Sequence, residues 1–138
     1  LFIRSHKFSH LSSDNKLLNT KNVIDGSDFK NPMILLRYID LLVTDYSSIW
    51  IDFLLLKKPI IIYTPDLETY TKKHGFIHDF RDSIPSEPLL SFEQLMSSIE
   101  NSITTSNLSE KQSHFYDRYH ATKSSSSSSE LLKLIIHK

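Results

Sequence analysis

Two short runs in this sequence hold the residue types that phosphate chemistry uses. Thr44-Asp45-Tyr46-Ser47-Ser48 follows the apolar Leu41-Leu42-Val43, and Arg4-Ser5-His6 follows Leu1-Phe2-Ile3. Neighbouring hydroxyls at Ser47 and Ser48, beside backbone N–H groups that a helix start leaves unpaired, can donate to phosphate oxygens without a Gly-rich loop. The plainer alternative is that Asp45 or a serine caps the helix, worth about 1 kcal/mol, and binds nothing. His6 can donate to a phosphate oxygen or protonate a leaving group near neutral pH, with Arg4 beside it as a permanent charge. Its plainer alternative is a solvated surface histidine.

A third candidate lies just downstream. Asp52 comes four residues after Ser48, on the same helix face, inside the run Ile49-Trp50-Ile51-Asp52-Phe53-Leu54-Leu55-Leu56. That run is apolar on almost every side, so burial is expected for the helix and for Asp52 with it. A buried carboxylate needs a partner: Ser48, a substrate hydroxyl, a lysine such as Lys7, or the backbone. His74 and His78 are also four apart, but no third ligand stands near them and Gly75 interrupts the helix between them, so no metal site is expected.

The elements that must position these groups alternate. Residues 1–4, 22–25, 41–44 and 59–63 read as strands; residues 12–19, 32–38 and 47–57 carry helical spacing or helix-start signals. Strand alternating with helix at this pitch makes an α/β fold, a Rossmann-like parallel sheet flanked by helices. Leu41-Leu42-Val43 and Ile60-Ile61-Ile62 are continuous rather than alternating, as in strands covered on both faces. Ligands gather at the carboxyl ends of such strands, which selects the segments after residues 4, 25, 44 and 63. Beyond Tyr63, residues 66–73 form a short helix and residues 75–86 a loop, with Pro85 and Pro88 interrupting any regular element. Helices follow over 91–103 and 109–119, and a last one over 130–137. The domain plan is one nucleotide-donor-binding domain over 1–120, a Ser-rich linker over 121–129 containing six consecutive serines, and a C-terminal helix over 130–138.

Composition removes several function classes. The 138 residues hold 16 Lys plus Arg against 16 Asp plus Glu, a net charge of 0, so no positive field gathers nucleic acid. With no Cys there is no disulfide, thiolate nucleophile or Cys-ligated zinc. The two glycines, Gly26 and Gly75, stand far apart, so neither a dinucleotide fingerprint nor a P-loop can be built. No apolar run has the roughly 18 to 20 residues needed to cross a bilayer, and no signal peptide opens the chain. The first residue is Leu1, within a strand-like segment, which reads as a fragment.

These residues also carry a resemblance. Asp40-Leu-Leu-Val-Thr-Asp-Tyr-Ser-Ser48, then Asp52-Phe53, Lys58-Pro-Ile-Ile-Ile-Tyr63, Asp66, Tyr70, Gly75-Phe76 and Asp79-Phe80, resemble in order the C-terminal half of the CDP-glycerol glycerophosphotransferase family, which includes teichoic acid primases and polymerases and related capsule polymerases. Arg4-Ser-His6 is similar to that half's opening Arg-x-His. The resemblance implies a GT-B architecture, with this chain as the donor-binding half, and transfer of a polyol phosphate from a CDP carrier to a hydroxyl of a polymer or lipid-linked acceptor, releasing CMP. It implies no cofactor beyond that CDP-polyol donor. By position it makes His6 the histidine on the transferred phosphate. It places Asp45, Tyr46, Ser47 and Ser48 around the pyrophosphate, with Arg4 and Asp52 as further donor-site residues. It also implies a partner, the N-terminal GT-B half with a second histidine as base, so that this chain alone is expected to turn nothing over. Location at the cytoplasmic face of the membrane, through segments outside this chain, is implied as well. Ribitol phosphate or a sugar phosphate remains an alternative cargo, and a non-catalytic truncated fragment an alternative identity. His74-Gly-Phe-Ile77 stands where the family has Arg-Gly-Phe-Tyr, replacing a permanent charge with a part-time one.

Overall fold

The computed structural model describes residues 1–4, 21–27, 29–104, 108–120 and 127–136. The expected helix over 12–19, His6 and Lys7 lie outside them. The chain divides into two compact units, Leu1–Arg37 and Tyr38–Lys138, where the sequence plan has one domain over 1–120. Among the described residues no helix is long and apolar enough to cross a membrane.

In the first unit, β1 (Phe2–Ile3) and β2 (Ile24–Asp25) pair in parallel, with Phe2 opposite Ile24 and Ile3 opposite Asp25. The Leu1 ammonium extends the pairing by donating to Asn22 O at 2.8 Å. Gly26 must stay small: a Cβ there would sit 2.8 Å from Cδ1 of Phe2, whose ring meets Phe29 edge-on. The unit ends with α1 (Pro32–Leu36), which opens as its sequence predicts. Pro32 takes the first helical position and Asn31 caps it by accepting from Met33 N.

The second unit is built on a parallel sheet in the order β3-β4-β5: β3 (Leu42–Thr44), β4 (Ile60–Tyr63) and β5 (Pro88–Leu89). β4 is central, and Ile60, Ile61 and Ile62 are all buried, as a continuous apolar run requires. β3 is only partly so. Among the described residues it is an edge of this sheet, and while Leu42 is buried, Val43 is 40% exposed, which corrects the expectation of cover on both faces. β5 is an addition to the sequence reading. Pro88 opens it, a position where the missing N–H is tolerated.

Helices surround this sheet. The apolar run after Ser48 makes α2 (Ile49–Phe53), which tightens into a 3-10 turn over Leu54–Leu56 and stops at Lys57, held in the left-handed region at φ 53° ahead of Pro59. α3 (Leu67–His74) ends at Gly75, whose φ of 69° favours glycine. A 3-10 turn over Arg81–Ser83 lies inside the loop expected over 75–86. α4 (Phe92–Thr104) packs on β4 and β5, and α5 (Glu110–Tyr119) packs on the 3-10 turn after α2. The core joins Trp50, Phe53 and Leu54 to Phe115, with the Trp50 indole edge-on to both Phe115 and Tyr119. α6 (Ser127–Ile136) begins three residues before the expected 130, so the last three serines of the run are helical rather than linker. Its Leu131, Leu132, Leu134, Ile135 and Ile136 are exposed.

Candidate functional site

The carboxyl ends of β3 and β4 lie side by side, because Thr44 is opposite Ile62 in the parallel register. The four residues between β3 and α2 form a self-bonded turn. Asp45 Oδ1 accepts from Ser47 N at 3.2 Å, and Ser47 Oγ accepts from Ile49 N at 3.4 Å. This is how Asp and Ser shape turns, each offering the backbone a local acceptor. Ser48 occupies the N-cap position of α2 without using its side chain to cap. Asp45, Ser47 and Ser48 are all exposed, so both hydroxyls face water beside a helix start. α2 has only five residues, which leaves little macrodipole; hydroxyls and turn amides must supply most of any anion affinity here.

Tyr46 points the other way. Its hydroxyl donates to Oδ1 of Asp66 at 2.8 Å, and its ring lies on that of Tyr70 with centroids 3.6 Å apart and planes 15° from parallel. Phe80 and Phe76 complete the cluster at 5.4 and 6.1 Å from Tyr46, and the His74 ring lies 4.7 Å from Tyr70. Burial, then the hydrogen bond and charge of Asp66, with a smaller push from Asp45, drive the Tyr46 phenol well above the ordinary tyrosine range. It is a neutral donor at any physiological pH. At the end of β4, Thr64 is fully buried, and its hydroxyl has no hydrogen-bond partner among the described residues.

Asp52 is not where its sequence context puts it. It is exposed, as is Leu55 at 55%, because only the Trp50 and Phe53 side of α2 meets the core. No partner is therefore demanded of its carboxylate. Its spacing still places it on the Ser48 side of the helix.

Arg4, in the first unit, is committed in part to structure. Its Nη1 donates to Phe29 O at 2.6 Å and to Gly26 O at 3.4 Å, holding the turn after β2. In that turn hydrogen bonds from the Ser27 side chain and then from Ser27 N, the latter at 2.8 Å, lower the Asp25 carboxyl below the usual range. His6 lies outside the described residues. Among the described residues no group of three or more His, Asp or Glu could hold a metal ion.

The structure thus brings Asp45, Tyr46, Ser47, Ser48 and Asp52 together around one turn and helix. Asp66, Tyr70, Phe76 and Phe80 join the same end of the unit, though the sequence reading gave them no role. The signal was present: Asp66 follows the strand adjacent to β3 and so falls among the carboxyl-end segments.

Comparison with known proteins bears on the same residues. The family model for CDP-glycerol:poly(glycerophosphate) glycerophosphotransferases matches residues 1–137. The teichoic acid glycerol-phosphate primase of Bacillus subtilis (strain 168) is 36% identical over 101 residues, 73% of this chain and 26% of that protein. The teichoic acid ribitol-phosphate polymerase TarL of Staphylococcus aureus (strain NCTC 8325 / PS 47) is 36% identical over 78 residues, 56% of this chain and 14% of its own length. A solved structure of a variant of the wall teichoic acid polymerase TagF, soaked with CDPG, superposes with a TM-score of 0.73 at 26% identity, over 99% of this chain and 34% of that one. This chain therefore spans about a quarter or less of those two curated relatives and about a third of the solved chain.

Proposed function

Because the chain belongs to the CDP-glycerol:poly(glycerophosphate) glycerophosphotransferase family, we propose that it is the donor-binding part of a transferase that moves a polyol phosphate from CDP to a hydroxyl of a growing teichoic-acid-type polymer. The observation that carries this reading is the turn after β3. It presents the exposed hydroxyls of Ser47 and Ser48 at the carboxyl end of a parallel strand, while Asp45 accepts from Ser47 N and Asp66 from the Tyr46 hydroxyl. An anion near that turn then meets hydroxyl and amide donors.

In this reading the diphosphate of the donor rests against Ser47, Ser48 and the turn amides, and Asp52 accepts from a donor hydroxyl at the solvent side of α2. We also propose His6 as the histidine that acts on the transferred phosphate, and Arg4 as a further donor-site residue. The acceptor hydroxyl attacks the phosphorus that bears the polyol. A P–O bond forms to the acceptor, the bond to the bridging oxygen breaks, and CMP departs with that oxygen. The acceptor proton passes to a base, a role we give to a histidine in the part of the transferase that binds the acceptor. Catalysis of this kind rests on positioning and on stabilising charge that develops on phosphate oxygens. The acceptor is polymeric, so we place the work at the cytoplasmic face of the membrane, where water-borne CDP donors meet it.

Calorimetric titration of the chain with CDP, CDP-glycerol, CDP-ribitol and UDP-glucose tests the reading. Saturable binding of the cytidine diphosphates and none of UDP-glucose is the expected result; no binding of any CDP compound would overturn it. Tighter binding of CDP-ribitol than CDP-glycerol would assign ribitol phosphate as the cargo; relatives named for either polyol match the chain.

A further inference from the structure

Asp66 stands at the N-cap position of α3, where an aspartate ordinarily accepts from a backbone amide of the first helical turn. Here it makes no side-chain cap bond. Its Oδ1 accepts instead from the hydroxyl of Tyr46, 20 residues earlier, tying the end of β4 to the turn after β3. The ring of Tyr46 is held along its length as well, by the nearly parallel Tyr70 on one face and by Phe80 and Phe76 at tilted contacts. Tyr46 sits between Asp45 and Ser47 in a turn of four residues, so fixing its ring at hydroxyl and face fixes the course of the backbone that carries the two serines. Its one O–H proton is spent on Asp66, so Tyr46 has nothing left to donate to a phosphate oxygen.

We propose that Tyr46 and Asp66 are positioning residues, which do not touch the diphosphate but hold the 45–48 turn so that Ser47, Ser48 and the turn amides converge on it. This rests on the reading of that turn as the diphosphate site. It changes the part expected of Tyr46 from contact to support, and adds Asp66 to the machinery. The pair's interaction is one hydrogen bond with a charged acceptor, so its loss is expected to weaken diphosphate binding by about five- to tenfold.

The test is an amide-shift NMR titration of the chain and its variants with CDP and, as a probe lacking phosphates, cytidine. Tyr46→Phe keeps the stacked ring and removes only the donor; Asp66→Ala removes the acceptor; Asp66→Asn keeps an oxygen acceptor. Tyr46→Phe and Asp66→Ala should each weaken CDP by that factor and leave cytidine within about twofold, the double variant should be no worse than either single one, and Asp66→Asn should recover most of what Asp66→Ala loses. The proposal is overturned if Tyr46→Phe binds CDP as the parent does, if Asp66→Asn recovers nothing, or if CDP and cytidine weaken alike. A parent chain that does not bind CDP at all overturns the reading of the turn, and this proposal with it.

Discussion

The buried side chain of Gln112 in α5 donates from Nε2 to the carbonyl oxygen of Ile60, 52 residues earlier, at 2.8 Å. This one bond pins the second unit's penultimate described helix to the start of its central strand. A glutamine in a core is tolerated only when its amide is used. Gln112→Leu should therefore cost about 1 to 3 kcal/mol, despite the gain in apolarity, because the strand carbonyl loses a donor that water cannot replace. Urea denaturation would show a lower midpoint at an unchanged slope; an unchanged midpoint would mean the bond contributes nothing net.

Acid should loosen the loop ahead of β5 through Glu87. A hydrogen bond from Lys111 at 2.7 Å, then the Lys111 charge and a weaker contribution from Arg81, hold the Glu87 carboxyl below the usual 4.5. A depressed folded value means stabilisation that is present above the unfolded pKa and disappears as pH falls through the folded one. Glu87 is well exposed, so the effect is small and salt-sensitive. The drop in urea midpoint between about pH 6 and about pH 3 should be smaller in Glu87→Gln than in the parent. Equal drops in the two proteins would contradict this assignment.

Alkali reports on the other end of the sheet. Tyr46 has its folded pKa raised, first by burial and then by Asp66, so its stabilisation is complete below the ordinary tyrosine value and declines as pH rises above it. Tyr46 should therefore resist ionisation in a phenolate absorbance titration. In Asp66→Ala that titration should move toward lower pH. An Asp66→Ala titration identical to the parent's would contradict the hydrogen-bonded state of Tyr46.

How much of this was legible in the sequence differs from element to element. β4 was clear because Ile60-Ile61-Ile62 suits only a strand covered on both faces, and α1 because Asn31 and Pro32 spell a helix start. The Asp45–Ser48 region was placed correctly at a strand's carboxyl end, since alternation of strand and helix fixes which ends point the same way. β5 was missed because Pro88 reads as a breaker, and only the sheet's shape reveals that it takes the one strand position proline tolerates. The burial of Asp52 was misjudged because an apolar run does not say how many sides of its helix find cover; α2 found it on the Trp50 and Phe53 side alone. The Tyr46–Asp66 bond joins residues on separate connections, so no local pattern announces it, although both follow neighbouring strands.

The claim on which the rest depends is that a diphosphate meets the turn between β3 and α2. Residue-resolved amide shifts during titration of the isotope-labelled chain with CDP test it most directly. The account predicts saturable shifts centred on residues 45–49, with α5 unmoved. Shifts confined to residues 74–79, or none at saturating CDP, would contradict it.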